Sequence, residues 1–144
     1  KPAFVTAVDF SLTFHIEDAQ RKQDMVLNPA LVYCDNIVTS YLHKKVIRFT
    51  KRPFSYSIES TIPEGRGMGS SAAFCVATVA SLLHFYTGKP HDKQIINSLA
   101  YQCEKYFHGM PSGVDVSASC FGGLIFYRKE DLRLLFRAEN FYFD

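Results

Sequence analysis

Apolar and polar positions change their period several times along the chain, and each change predicts an element. Phe4 to Ile16 is rich in β-branched and aromatic residues, and Phe10, Leu12, Phe14 and Ile16 alternate with polar neighbours, which predicts one half-buried strand. Glu17 to Asp24 predicts a polar turn. From Pro29 to about His43, Leu31, Ile37, Val38, Tyr41 and Leu42 suit a helix, with Asn28 as its N-cap. Pro53 to Ile62 sets Phe54, Tyr56 and Ile58 against Ser55, Ser57 and Glu59, a second strand. Ser70 to about Thr87 is small and apolar on nearly every face, so the helix it predicts is buried rather than amphipathic, with Gly88 and Pro90 as its stop. Asp92 is placed to cap a further helix through about Phe107, with an apolar stripe of Ile95, Ile96, Leu99, Ala100 and Cys103. Gly109 to Gly113 breaks that helix, and Gly122 to Arg128 reads as a strand. Few strands interleaved with helices predict an α+β domain of two layers, a sheet packed on helices.

Composition narrows the classes. A chain of 144 residues with 47% hydrophobic and 21% charged residues can bury a core, which excludes disorder. A net charge of +2 gives no footing for nucleic acid or an anionic membrane. The one basic cluster, Lys44, Lys45, Arg48, Lys51 and Arg52, reads as solvated surface. No apolar run is expected to reach the ~18 residues of a bilayer span, and Lys1 to Phe4 lacks a signal-peptide pattern. Cys34, Cys75, Cys103 and Cys120 form no C-x-x-C pair and sit among small or apolar residues, so buried free thiols in a reducing cytosol are expected. His15, His43, His84 and His91 share no metal-ligand spacing.

Chemistry enters between the second strand and the buried helix. Pro63-Glu64-Gly65-Arg66-Gly67-Met68-Gly69-Ser70-Ser71-Ala72-Ala73 places three glycines where a strand turns into a helix. Glycine backbone can take positive φ and approach a ligand closely, its N–H groups can converge on an anion, and the helix N-terminus adds its positive dipole. Ser70 and Ser71 lie in the first turn, where a hydroxyl can cap the helix, touch phosphate or ligate a metal. The loop is neither a Walker A sequence, since no Gly-Lys-Ser/Thr follows, nor a dinucleotide fingerprint. Read alone it is an anion-binding loop, or a tight turn whose serines only cap a helix.

A second constellation runs from Glu104 to Asp115, two carboxylates eleven residues apart. Phosphoryl transfer needs Mg²⁺ on the phosphates and a group to orient or deprotonate the attacking hydroxyl, and carboxylates are the hard oxygen ligands magnesium prefers. Glu104 falls on the flank of the apolar stripe, an odd place for a solvated charge. Pro111-Ser112-Gly113 turns the chain so that Asp115 can return towards Glu104 and the glycine loop. The plainer alternatives are a surface charge for Glu104, an N-cap before Val116 to Ser119 for Asp115, and a helix-end residue for His108. Lys105 reads as solvated.

Together these residues resemble the GHMP kinase superfamily, with Met68 where leucine is usual. Glu104…His108-Gly109-x-Pro111-Ser112-Gly113-Val114-Asp115, followed by Phe121-Gly122-Gly123, is most similar to its mevalonate kinase branch. Val116 stands where that branch usually has asparagine, and Asp-Val-Ser-Ala is similar to phosphomevalonate kinases. The resemblance implies that residues 1–144 form the N-terminal, ATP-binding domain, a mixed or antiparallel sheet on helices with a left-handed β-α-β unit. It also implies that the family's first segment and its C-terminal domain lie outside these residues. It assigns Pro63, Gly65, Arg66, Gly67, Met68, Gly69, Ser70, Ser71 and Ala72 to the ATP phosphates. Ser70 or Ser71 with Glu104 would hold Mg²⁺, Asp115 would be the catalytic base or orienter, and His108, Ser112 and Gly113 would lie near the substrate.

The function so implied is ATP- and Mg²⁺-dependent phosphorylation of a small-molecule alcohol, with mevalonate as the expected acceptor. Phosphomevalonate or another GHMP acceptor is the alternative, although no basic side chain stands beside Asp115 to receive a phosphorylated acceptor. A different class, a non-catalytic nucleotide- or sugar-binding regulator, would have no use for the acidic pair. Neither nucleic acid nor a membrane is an expected partner, and a homodimer is left open. The expected location is the cytoplasm.

Overall fold

The computed structural model describes residues 3–6, 10–19, 28–63, 69–122, 124–128 and 133–138. In chain order the elements are β1 (Ala3–Thr6), β2 (Leu12–Asp18), α1 (Pro29–Lys44), β3 (Phe54–Ser60), α2 (Ser70–Thr87), α3 (Lys93–Glu104), α4 (Val114–Phe121), β4 (Leu124–Arg128) and β5 (Arg133–Ala138). The sequence reading placed one strand across Phe4 to Ile16; the structure divides it between two sheets. β1 pairs with β4, which pairs with β5, and β2 pairs separately with β3, every pairing antiparallel. Phe10 lies outside both strands and is exposed. The alternation was nonetheless a true signal for β2, where Leu12, Phe14 and Ile16 are half-buried and Thr13, His15 and Glu17 exposed. Phe14, opposite Ile58 in the register, stacks on Tyr56 of β3 with ring centroids 5.5 Å apart, a diagonal cross-strand contact. Burial fades along β3 from Phe54 to Ile58. β5 was not anticipated, because Arg133 and Arg137 interrupt its apolar run.

Helix α2 is the centre of the domain: α1, α3, α4 and β2 all pack on it. Cys75, Val79, Leu82 and Leu83 are fully buried there, each large apolar side chain contributing about 1.5–3 kcal/mol of transfer free energy. Its 18 residues and mean hydropathy of 1.3 are long and apolar enough for a bilayer span by length and composition, contrary to the expectation from the sequence. In this fold seven of those residues, Ala72, Cys75, Thr78, Val79, Leu82, Leu83 and Tyr86, are buried.

Local signals set the helix ends. Asn28 Oδ1 accepts from the Ala30 N–H at 2.9 Å and Asp92 Oδ1 from the Gln94 N–H at 2.7 Å, so both expected caps form. Gly88 ends α2 in the left-handed region. α3 stops at Glu104 rather than Phe107, because the N–H groups of Lys105, Tyr106 and Phe107 bond three residues back and tighten the chain.

The basic cluster is partly engaged. Arg52 Nε meets Asp18 Oδ1 at 2.6 Å and its guanidinium lies 3.9 Å from the Phe85 ring centroid, while Lys51 Nζ is 3.2 Å from Asp35 Oδ2. Tyr86 donates to the other Asp35 oxygen at 2.6 Å. The four cysteines are free and buried, as expected. Burial pushes the Cys120 thiol up to about 11. Contact with Cys34, together with burial, holds Cys75 and Cys103 well above the ordinary thiol value, so both remain protonated.

The end of α1 carries a strained residue. The N–H groups of Val46 and Ile47 bond back to His43 and Leu42, a Schellman pattern, with Val46 at φ 56° where glycine is usual. A β-branched residue there costs about 1–2 kcal/mol, and Val46 is almost wholly exposed, so packing does not compensate. Val46→Gly is therefore expected to raise the free energy of unfolding in urea by about 0.5–1 kcal/mol, part of the relief being offset by the freer unfolded chain. A lowered urea midpoint would contradict this.

Candidate active site

The N-terminus of α2 gathers the predicted chemistry. Gly69 is its N-cap at φ 76° and lacks a side chain to cap the helix, which leaves first-turn N–H groups available. A Cβ built on Gly69 would lie 3.6 Å from Asp115 Cβ and 4.0 Å from Asp115 Oδ1, so the two residues are neighbours in space. Two residues further along, Ser71 Oγ donates to Glu104 Oε1 at 2.7 Å. The glycine-loop end of α2 thus touches both carboxylates that the sequence singled out.

Glu104 is buried to 3% exposure, which rules out the surface-charge alternative. It ends α3, where the helix dipole is unfavourable to a carboxylate, but it faces the favourable N-terminal turn of α2. Its second oxygen, Oε2, has Cys75 Sγ at 3.5 Å. His108, one turn after Glu104 and exposed, brings Nε2 within 3.5 Å of Oε1. Among the described residues, the side-chain contacts of this acid come from α2 and from its own local turn.

Asp115 is exposed in the first turn of α4, whose N-cap is Gly113 at φ 85°. It is therefore not the cap of a later helix. Tyr101 of α3 donates to the Pro111 carbonyl at 3.3 Å, Pro111 is buried, and Ser112 Oγ accepts from the Val114 N–H at 3.3 Å. These contacts fix the Pro111-Ser112-Gly113 turn that carries Asp115 back to Gly69. A further bond, Ser117 Oγ to Asn97 Oδ1 at 3.3 Å, joins α4 to α3 in the interior.

Other predicted site residues divide clearly. Gly65, Arg66, Gly67 and Met68 lie outside the described residues, and Pro63 is the last described residue before them. Ser70 and Ser71 are both in the first turn, but it is Ser71 that reaches Glu104. The Ala72 side chain is fully buried, leaving only its backbone N–H to serve a ligand. Ser112 and Gly113 act within the turn before α4. The sequence reading missed Cys75 and Tyr101. The i, i+4 spacing of Ser71 and Cys75 on one helix face was the available signal for the first.

A hydroxyl and a buried carboxylate 2.7 Å apart form a hard-oxygen donor pair suited to magnesium. Among the described residues no group of three His, Cys, Asp or Glu side chains could hold a metal alone. A separate groove of about 1090 Å³ between α1 and α3, lined by residues such as Tyr33, Ile37, Tyr41 and Ile95, contains none of the predicted site residues.

Residues 31–123, more than half of the chain, match the sequence model of the family described as GHMP kinases N terminal domain. The chain belongs to the GHMP kinase family. Among curated GHMP relatives it is 34% identical over 96 residues to mevalonate kinase of Arabidopsis thaliana, a match covering 59% of this chain and 25% of that protein. It is 42% identical over 77 residues to mevalonate kinase of Aeropyrum pernix, covering 54% of this chain and 24% of that one. Its fold is similar to the crystal structure of Methanococcus jannaschii mevalonate kinase, with a TM-score of 0.76 at 21% identity, over 96% of this chain and 49% of that one. The matched stretch is thus about a quarter of these curated relatives, and the chain spans about half of the solved structure. The α+β GHMP N-terminal architecture expected from the sequence is the one observed.

Gly69 offers a direct test of the loop geometry. At φ 76° an alanine is strained, yet its Cβ would meet Asp115 at an ordinary contact distance. Gly69→Ala should lower the free energy of unfolding by about 1–2 kcal/mol, a backbone cost without a steric clash. A change near zero in chemical denaturation would show that the left-handed conformation is not required.

Proposed function

We propose that this domain forms the nucleotide-binding half of an ATP- and Mg²⁺-dependent kinase that phosphorylates a small-molecule alcohol, with mevalonate as acceptor. The observation that carries the reading is the meeting of Gly69 with Asp115 and of Ser71 with Glu104 at one end of α2. Its membership of the GHMP kinases and the names of the curated relatives support the reaction class and the acceptor.

In this reading the first-turn amides of α2, with the glycine loop, receive the phosphates of ATP. Ser71 and Glu104 would hold Mg²⁺, which when bound neutralises phosphate charge. Asp115 accepts a hydrogen bond from the acceptor hydroxyl and orients it. As that oxygen bonds to the γ-phosphorus, the bond to the bridging oxygen breaks, ADP leaves and the hydroxyl proton passes to the Asp115 carboxylate. Most of the rate enhancement then comes from positioning and fixed charge. The exposure of Asp115 suits a group that must meet a second substrate, and the burial of Glu104 suits one that stays with the ion. His108, drawn to Glu104, belongs on the metal side of the site rather than beside the acceptor. Four buried free thiols fit a cytoplasmic protein.

ADP release by a full-length kinase containing this domain is the measurement, with mevalonate, phosphomevalonate, galactose and homoserine offered in turn. Mevalonate is expected to give turnover, and Asp115→Asn to reduce kcat by about 10²–10⁴-fold with little change in nucleotide affinity. Turnover with none of the four, or an undiminished kcat in Asp115→Asn, would refute the mechanism.

A further inference from the structure

We infer that Cys75 is a positioning residue for the Glu104 carboxylate, its buried thiol holding the inner oxygen so that the outer one faces Ser71 and a bound cation. The inference rests on the phosphotransfer reading above and deepens it. Ser71 and Cys75 are four residues apart on α2 and therefore share one face. They address different oxygens of the same acid: Ser71 Oγ lies 2.7 Å from Oε1, and Cys75 Sγ lies 3.5 Å from Oε2. The helix thus presents a two-pronged clamp to a carboxylate arriving from α3.

The prongs have different fates when a cation binds. A cation held by Ser71 and Glu104 would draw on lone pairs of both, so the Ser71 hydroxyl would no longer be free to donate to the carboxylate. His108 is exposed and reaches the same outer oxygen, so it gives Oε2 no support. Among the described residues, Cys75 is the hydrogen-bond contact that remains on the inner side. It is fully buried beside an acid of 3% exposure, so water does not readily take its place. Cys75 also touches Cys34, and its Sγ lies 3.5 Å from Glu104 Oε2 in donating geometry. A thiol is a weak donor, yet an unsatisfied buried carboxylate oxygen is costly enough for a weak donor to matter. Partners of metal ligands commonly change metal affinity by 10–100-fold when removed.

Two substitutions separate this role from simple packing. Cys75→Val fills a similar volume without a donor, and Cys75→Ser keeps a donor but places a hydroxyl in an apolar core. If Cys75 only packs, Val is the milder change and Ser the harsher one. If it positions Glu104, the order reverses at the metal. The experiment is electron paramagnetic resonance titration of Mn²⁺ onto the protein with ADP present, alongside thermal unfolding of each variant. Cys75→Val is expected to bind Mn²⁺ about tenfold more weakly while remaining folded, and Cys75→Ser to bind within about twofold of the unsubstituted protein. Mn²⁺ affinity in Cys75→Val equal to that of the unsubstituted protein would overturn the role of Cys75 and leave the phosphotransfer reading intact. Failure of the unsubstituted protein to bind Mn²⁺ with ADP would overturn both.

Discussion

A carboxylate buried to 3% exposure needs a partner, and among the described residues the bond from Ser71 is the shortest that reaches the Glu104 side chain. An ionised acid taken out of water without compensation costs far more than a domain of this size can spare. Glu104 sits besides at the C-terminus of α3, where the backbone dipole opposes it. Two features make the position tolerable: the hydroxyl at 2.7 Å, and the positive end of α2 facing the acid. The chain therefore cannot place α3 freely. It must bring the last residue of α3 to the first turn of α2, and the packing of both helices around the Cys75, Val79 and Leu82 core achieves that.

The rest of the site follows from the same helix end. Gly69 starts α2 and Gly113 starts α4, both in the left-handed region and neither with a side chain of its own to satisfy the first turn. Their helices abut where Gly69 meets Asp115. Tyr101 and Asn97 on α3 hold the turn before α4 and α4 itself, through Pro111 and Ser117. One helix thus contributes an acid directly and positions the second acid through two hydrogen bonds. Local energetic conflict of this kind, a buried acid at the wrong end of a helix, is what a functional site imposes on a fold.

Much of this was legible in the residues. The caps at Asn28 and Asp92 and the full span of α2 follow from short-range chemistry, and short-range chemistry is what a single sequence displays. Glu104 and Asp115 could be singled out because one lies on an apolar stripe and the other follows a Pro-Ser-Gly turn. The identification of the family needed the long glycine motif and the second motif in order. What escaped depends on tertiary partners. The division of Phe4 to Ile16 between two sheets is decided by β4 and β3, far along the chain. The choice of Ser71 over Ser70 depends on where α3 arrives. Cys75 looked like any core thiol until Glu104 was placed beside it.

The central claim is that a nucleotide-bound cation sits on Ser71 and Glu104, with Asp115 close by at the same end of α2. Paramagnetic broadening of backbone amide signals by Mn²⁺ with ADP measures this directly. The account predicts that the amides of Gly69, Ser70, Ser71, Glu104 and Asp115 broaden together. Gln94, ten residues before Glu104 and so about 15 Å away along α3, and Lys44 in the α1–α3 groove should remain sharper. Broadening centred on that groove, with the start of α2 unaffected, would contradict it.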